Sequence, residues 1–225
     1  MTHAPSAARK NRVLVVDDHP IVRPGLALLI NREPDLMVCG EAEDARTAMQ
    51  SITAAKPDIL VVDISLNGPD GLDLLKYIRT RYPDLPVLIL SMHDESMYAE
   101  RALRAGAQGY IMKQEATEKV LVALRRILGH EIYVSERVSN RILQRYIGSP
   151  SDGGPSSIAD LTDRELEVFR LIGAGHSTRQ IAEELHISVK TVESYQAHIK
   201  EKLSLRSARE LVQHAIQWSI TEKPS

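Results

Sequence analysis

Short apolar runs alternate with longer segments of helical spacing through the first 128 residues of the chain. Val13–Val16, Leu36–Cys39, Ile59–Val62, Val87–Leu90 and Gly109–Met112 are brief and rich in Val, Ile and Leu, so they read as strands. Several are continuously apolar rather than alternating, the pattern of a strand covered on both faces. Between them, residues 20–32, 45–55, 70–80, 95–105 and 116–128 repeat their apolar positions at helical spacing. Strict β-α alternation predicts a parallel sheet with helices on both faces and right-handed crossovers. Five such units suit an open, doubly wound α/β sheet of the flavodoxin-like kind. A closed eight-unit barrel needs about twice the length.

A further helical stretch at 135–147 leads into SPSDGGPSS (149–157), where Gly, Pro and Ser crowd together without a periodic apolar residue. Such a stretch reads as a flexible linker. The remainder carries no strand signal and reads as four helices, near 163–173, 178–185, 189–203 and 207–218. Thr162 and Glu165 form a capping-box pattern at the start of the first. The expected organisation is an α/β domain at 11–129, a linker helix and flexible linker at 130–157, and a separate all-α, four-helix domain at 158–221.

Composition narrows this picture little. A hydrophobic content of 43% allows a real core, and 26% charged residues of mixed sign argue against disorder. The longest apolar runs are too short to span a bilayer, so no membrane association is expected. The opening MTHAPSAARKNR has no apolar segment behind it and does not read as a secretory signal. Cys39 is the single cysteine, which excludes an internal disulfide or a cysteine-rich zinc site and fits a reducing cytoplasm. Residues 146–225 hold nine Lys/Arg against eleven Asp/Glu, so bulk charge does not point to nucleic acid. That indication has to come from local pattern.

Ligands of an open parallel sheet bind at the carboxyl ends of its strands. Strand one ends in Asp17-Asp18, strand three in Asp63, strand four in Ser91 and strand five in Lys113. Any one of these alone is an ordinary solvated strand end. Five polar groups closing four apolar strands on one rim are not. Three neighbouring carboxylates repel, and a divalent cation relieves the conflict; oxygen ligands without cysteine favour Mg²⁺. A rim carboxylate is also a nucleophile toward a phosphoryl group, with Lys113 neutralising charge on the transferred oxygens and Ser91 donating a hydrogen bond. An aspartate-nucleophile phosphatase uses a similar arrangement, but it places a second acid two residues after the nucleophile, where Ser65 stands, and it needs a cap insertion absent here. The chain is therefore not expected to be an enzyme. His19 reads as lying just outside the metal ligands and as dispensable.

The segments VLVVDDHPIVR, ILVVDISLNGPDGLDLL, VLILSMHD and GYIMK resemble the signature segments of response-regulator receiver domains, over about residues 11–129. The resemblance implies that Asp63 accepts phosphate from a sensor histidine kinase. It implies that Asp17, Asp18, Asp63 and the backbone carbonyl of Ser65 hold Mg²⁺, and that Ser91 and Lys113 grip the phosphoryl group. Tyr110 matches the aromatic switch residue. Two positions depart from the usual pattern: Asn67 stands where proline is usual four residues after the acceptor, and Gln114 follows Lys113 where many receivers have proline, so a cis bond there would be costlier.

In the second domain, helix 178–185, a turn at His186-Ile187 and helix 189–203 have helix-turn-helix proportions. Ala182 is small where the helices approach, His186 tolerates a left-handed turn, and Ser188 is a good N-cap. At 100° per residue, Val192, Tyr195, Ile199 and Leu203 face inward, and Lys190, Ser194, Ala197 and Glu201 face outward with Glu193 and Lys200 beside them. Glu193 is suited to a cytosine amino group, Ala197 to a thymine methyl, and Lys190, Thr191 and Lys200 to phosphates. Spacing alone also fits a protein-docking bundle. The segment from Leu161 to Leu203, however, resembles the LuxR-type helix-turn-helix nearly throughout. That resemblance places base-reading positions at Glu193, Ser194 and Ala197, and makes Tyr195 partly a phosphate contact rather than pure core, since histidine is common there. Both halves together resemble the NarL/FixJ family. The implied function is a phosphorylation-dependent transcriptional regulator of double-stranded promoter DNA, a homodimer when active. In that family the last helix commonly pairs DNA-binding domains, for which Val212, Ala215, Ile216 and Trp218 would supply apolar contacts, although ordinary core packing explains much of the stripe equally well.

Overall fold

The computed structural model describes residues 9–66, 71–147, 158 and 161–221. The 149–157 linker, and the loop positions Asn67, Gly68 and Pro69, lie outside the described residues. The chain forms two compact units, residues 1–148 and 149–225.

The first unit alternates strands β1 (Asn11–Val16), β2 (Leu36–Ala42), β3 (Ile59–Asp63), β4 (Val87–Ser91) and β5 (Gly109–Met112) with helices α1 (Val22–Asn31), α2 (Ala45–Ala55), α3 (Gly71–Arg81), α4 (Glu95–Arg104) and α5 (Ala116–Leu128). All pairings are parallel, in the order β2-β1-β3-β4-β5. The doubly wound sheet expected from the alternation is the one observed. β1, β3 and β4 are central, and Val13–Val16, Ile59–Val62 and Val87–Leu90 are essentially inaccessible. This is why their apolar runs do not alternate: helices cover both faces. One core cluster joins Val13, Val15, Ile59, Val61, Leu88 and Leu90 to α1 and α5 through Leu26, Ile30, Val120 and Leu124. β2 runs three residues past the expected Cys39, to Ala42, because Leu14–Val16 of β1 continue to pair with Gly40–Ala42 after a register shift.

The order reverses between β1 and β3, the position at which open α/β sheets bind ligands. A short 3₁₀ turn (Lys113–Glu115) links β5 to α5, and no cis peptide occurs among the described residues, Lys113-Gln114 included. Beyond α5 the chain returns to the sheet. Tyr133 bridges β5, its N–H donating to the Gln108 carbonyl (2.8 Å) and its carbonyl accepting from the Tyr110 N–H (2.9 Å). Helix α6 (Glu136–Ile147) then packs on α4, with Val138 buried.

The second unit is all helix: α7 (Asp163–Gly173), α8 (Thr178–Glu184), α9 (Val189–Lys202) and α10 (Ala208–Thr221). The Thr162–Glu165 capping box forms as expected, and Ser177 and Gln180 form another on α8. Phe169 is fully buried, with ring centroids 5.5 Å from Trp218 and 5.9 Å from His214. α7 and α10 cross so closely that a Cβ on Gly173 would lie 2.5 Å from the Ala215 carbonyl oxygen.

Candidate functional site

The rim of the first unit collects the strand-end residues as the parallel topology requires. Lys113 Nζ donates to Asp63 Oδ2 at 2.8 Å and lies 2.7 Å from Asp17 Oδ2. Asp17 Oδ2 is nevertheless off the direction of a hydrogen bond, and both it and Asp18 Oδ1 are buried oxygens without a hydrogen-bond partner. Asp17 and Asp63 are each only 1% exposed. Burial pushes the Asp63 carboxyl above the usual carboxylate range, and the Lys113 ammonium pulls it back only in part. Single oxygens of Asp17, Asp18 and Asp63 and a nitrogen of His19 lie within 4.8 Å of one another. One lysine does not balance three carboxylates in so dry a place. Hard oxygen donors, two of whose buried oxygens accept no hydrogen bond, fit a divalent ion such as Mg²⁺.

Backbone contacts hold these groups in place. The Arg23 guanidinium donates to the Asp17 carbonyl at 2.5 Å, fixing the end of β1. The Ser65 N–H donates to Asp63 Oδ1 at 3.1 Å. Gly71, at the start of α3, donates its N–H to the Ile64 carbonyl (2.8 Å), and a Cβ there would lie 2.0 Å from the Asp63 carbonyl oxygen.

Ser91 is fully buried, and its Oγ accepts the His93 N–H at 3.0 Å. Tyr110, also buried, donates its hydroxyl to the His93 carbonyl at 2.9 Å, and burial pushes its phenol well above the ordinary range. His93 itself is the residue that sequence reasoning missed. Its Nε2 lies 2.9 Å from Ser65 Oγ, and its ring stacks on Tyr98 of α4 with centroids 4.6 Å apart. His93 therefore joins the loop after Asp63, the hydroxyl of Ser91, Tyr110 and α4. Its only sequence signal was its place two residues beyond a strand end. From α4, Glu95 accepts the Ser135 hydroxyl at 2.7 Å, and the Ser96 carbonyl accepts from Arg141 of α6.

In the second unit His186 takes the left-handed conformation (φ 53°) between α8 and α9, and Ser188 caps α9 by accepting the Thr191 N–H at 3.1 Å. Val192, Ile199 and Leu203 are buried, whereas Tyr195 is only half-buried. Lys190, Glu193, Ser194, Ala197 and Glu201 are exposed, and Lys200 is half-buried. Ser194 donates to the Lys190 carbonyl (3.0 Å), and the Thr191 hydroxyl is shared with Ser188 (2.7 Å). His198 is exposed on the same side and was not anticipated. Two braces aim the helix. Lys202 donates to buried Glu165 of α7 at 2.7 Å, and Gln196 donates to Thr178 of α8 at 3.3 Å.

Residues 13–125 match the response regulator receiver domain, and residues 159–215 match the bacterial regulatory proteins of the luxR family. The chain belongs to the NarL/FixJ-type response regulators. This response regulator is 35% identical over 216 residues to the oxygen regulatory protein NreC of Staphylococcus epidermidis, covering 94% of this chain and 99% of that protein. Its fold is similar to RcsB from Salmonella enterica serovar Typhimurium bound to promoter rprA with the phosphomimetic BeF3- (26% identity, TM-score 0.59, 92% of this chain and 99% of that one). It is also similar to a LuxR-family two-component response regulator from Aurantimonas sp. SI85-9A1 (35% identity, TM-score 0.57, 62% of this chain and all of that one). The response regulator is a phosphorylation-dependent, DNA-binding regulator of transcription. Among its described residues, no helix is long and apolar enough to cross a membrane.

Proposed function

We propose that Asp63 is the phosphoacceptor and that α9 reads promoter DNA. The observation that carries the first assignment is the Lys113 ammonium, 2.8 Å from Asp63 and 2.7 Å from Asp17 in a buried pocket. An Asp63 oxygen attacks the phosphorus of a kinase phosphohistidine; the P–N bond breaks, its electron pair returns to the imidazole nitrogen, and that nitrogen takes up a proton. Lys113 and the Ser91 hydroxyl hold the transferred oxygens. Asp17, Asp18, Asp63 and the Ser65 carbonyl would hold Mg²⁺, which supplies charge neutralisation at the phosphoryl group. The kinase has an apolar landing site beside the pocket. Ile21, just before α1, and Leu28 of α1 are well exposed on a cleft of about 330 Å³ that Lys113 and Thr117 also line.

Phosphorylation acts on a two-state element. Drawing the Ser91 hydroxyl toward a phosphoryl oxygen shifts the Oγ that accepts the His93 N–H, so His93 moves with it. With it move the acceptor of the Tyr110 hydroxyl and the stack on Tyr98. The displacement reaches α4 and, through Glu95–Ser135 and Ser96–Arg141, α6, which leads toward the DNA-binding unit. The unphosphorylated receiver disfavours productive DNA binding, and the phosphate relieves it. On α9, Glu193, Ser194 and Ala197 read base edges, while Lys190, Thr191, Tyr195 and Lys200 contact phosphates. Val212, Ile216 and Ile220 leave an exposed apolar stripe on α10 for a homodimer, whereas Ala215 is buried in the unit's own core and Trp218 packs on Phe169. A regulator reading the chromosome works in the bacterial cytoplasm. The direct test is labelling with acetyl phosphate and Mg²⁺. Acid-labile phosphate should be lost in Asp63→Asn, and equal label in variant and parent ends the assignment.

A further inference from the structure

The turn after β1 brings an imidazole into the acid pocket. The His19 N–H donates to Asp17 Oδ1 at 2.9 Å, which folds the side chain back over the strand end. Its Nδ1 then lies 2.7 Å from Asp18 Oδ1, 3.2 Å from Asp17 Oδ1 and 3.8 Å from Asp63 Oδ2. Ligands about 2.1 Å from an octahedral ion stand roughly 3 Å apart when adjacent and roughly 4 Å apart when opposite. The His19 separations span that range. The pocket also holds Asp17 Oδ2, a buried oxygen that accepts no hydrogen bond although Lys113 Nζ stands 2.7 Å away, on a residue 1% exposed. The His19 ring itself is half-exposed.

We infer that His19 is a further metal ligand, and that its nitrogen makes the phosphoacceptor pocket a site for borderline first-row ions such as Co²⁺, Ni²⁺ and Zn²⁺ as well as for Mg²⁺. Oxygen donors alone favour hard ions. An imidazole nitrogen raises affinity for the later transition ions and does little for Mg²⁺, which dehydrates reluctantly and keeps water in place of a nitrogen. The Lys113 ammonium, 3.4 Å from the same Nδ1, marks where positive charge already sits in the pocket. An ion held in part by His19 would compete with Mg²⁺ for the three carboxylates, so the same pocket would register transition-metal supply. The inference rests on the assignment of Asp17, Asp18 and Asp63 as a metal pocket.

The test uses the untagged full-length protein, titrated separately with Mg²⁺ and Co²⁺ by calorimetry, with the visible Co²⁺ absorption recorded. Parent, His19→Asn and Asp17→Asn are compared. Residue 19 is exposed, so its replacement leaves the core untouched. The expected result is one Co²⁺ site in the parent, lost in Asp17→Asn and weakened at least tenfold in His19→Asn with a changed absorption band, while Mg²⁺ affinity changes less than threefold in His19→Asn. Unchanged Co²⁺ affinity and spectrum in His19→Asn overturn the inference and leave the carboxylate pocket standing. Equal loss of both ions in His19→Asn also overturns it, since the residue would then only orient the acids. Failure of the parent to bind either ion overturns the pocket assignment itself, and Co²⁺ retained in Asp17→Asn shows binding at other histidines and overturns the inference.

Discussion

At the scale of single residues, one of the tightest positions beside Asp63 carries no side chain. Gly71 lies against the backbone of Asp63, and a Cβ there would come within 2.0 Å of the carbonyl oxygen and 2.7 Å of the Ile64 Cα. Backbone does not give way as a flexible side chain does. Gly71→Ala should therefore shift the end of β3 and destabilise the first unit by about 1–3 kcal/mol, as overpacking does. Labelling by acetyl phosphate should fall at least tenfold with it. A parent-like thermal melt and labelling rate would refute this. The sequence displays Gly71 as one more glycine opening a helix, because its contact with Asp63 depends on the path of the intervening loop. His93 was hidden for the same reason, and His19 was visible beside the acids without its aim: both follow strand ends, but the direction of each imidazole is decided by its turn. Asp17, Asp18, Asp63, Ser91 and Lys113 were legible because a parallel sheet alone sends all its strand ends to one rim.

At the scale of elements, the apolar runs of β1, β3 and β4 announced central strands because nothing but burial on both faces tolerates such sequences in a soluble domain. What joins elements was less visible. Glu165 reads as a capping residue, yet it is also the buried partner of Lys202 and so ties the start of α7 to the end of α9. Burial opposes ionisation of Glu165, but hydrogen bonds from Lys202 and Thr162 outweigh it and hold the carboxyl below its usual range. A carboxylate with a lowered folded-state pKa stabilises above its unfolded value, about 4.3, and loses that contribution as pH falls through the folded value. Glu165→Gln should accordingly cost about 1–3 kcal/mol at pH 7, the range for hydrogen bonds to charged groups. The gap from the parent should close as the pH is lowered below about 4. Urea unfolding followed by Trp218, the single tryptophan and part of this unit's core, measures both. A gap that stays constant with pH would show that the charge contributes nothing.

At the scale of the whole molecule, the question is how an event at Asp63 alters affinity for DNA. The α4–α6 contacts connect the rearranging loop to the chain segment that leaves the receiver, so they are a place to cut the coupling without touching chemistry. Arg141→Ala combined with Ser135→Ala should leave the labelling rate within about twofold of the parent. It should reduce by at least fivefold the gain in promoter affinity that phosphorylation produces, as read by gel shift with and without phosphodonor. An undiminished gain would move the route elsewhere, for instance to α1 and α5. The helix at 135–147 was visible from its spacing, but its attachment to α4 was not, since Ser135 and Arg141 look like any polar residues on an exposed face.

The bridge at Tyr133 has a practical consequence for dissecting the protein. Residues beyond α5 act as a hem on the outer border of the sheet, occupying amide and carbonyl groups of Gln108 and Tyr110 that would otherwise face water. A regulatory half trimmed at Leu128 would present that border bare, inviting a neighbouring copy to zip onto it. One carried through Ile147 keeps the hem stitched, and with it the contacts between α4 and α6.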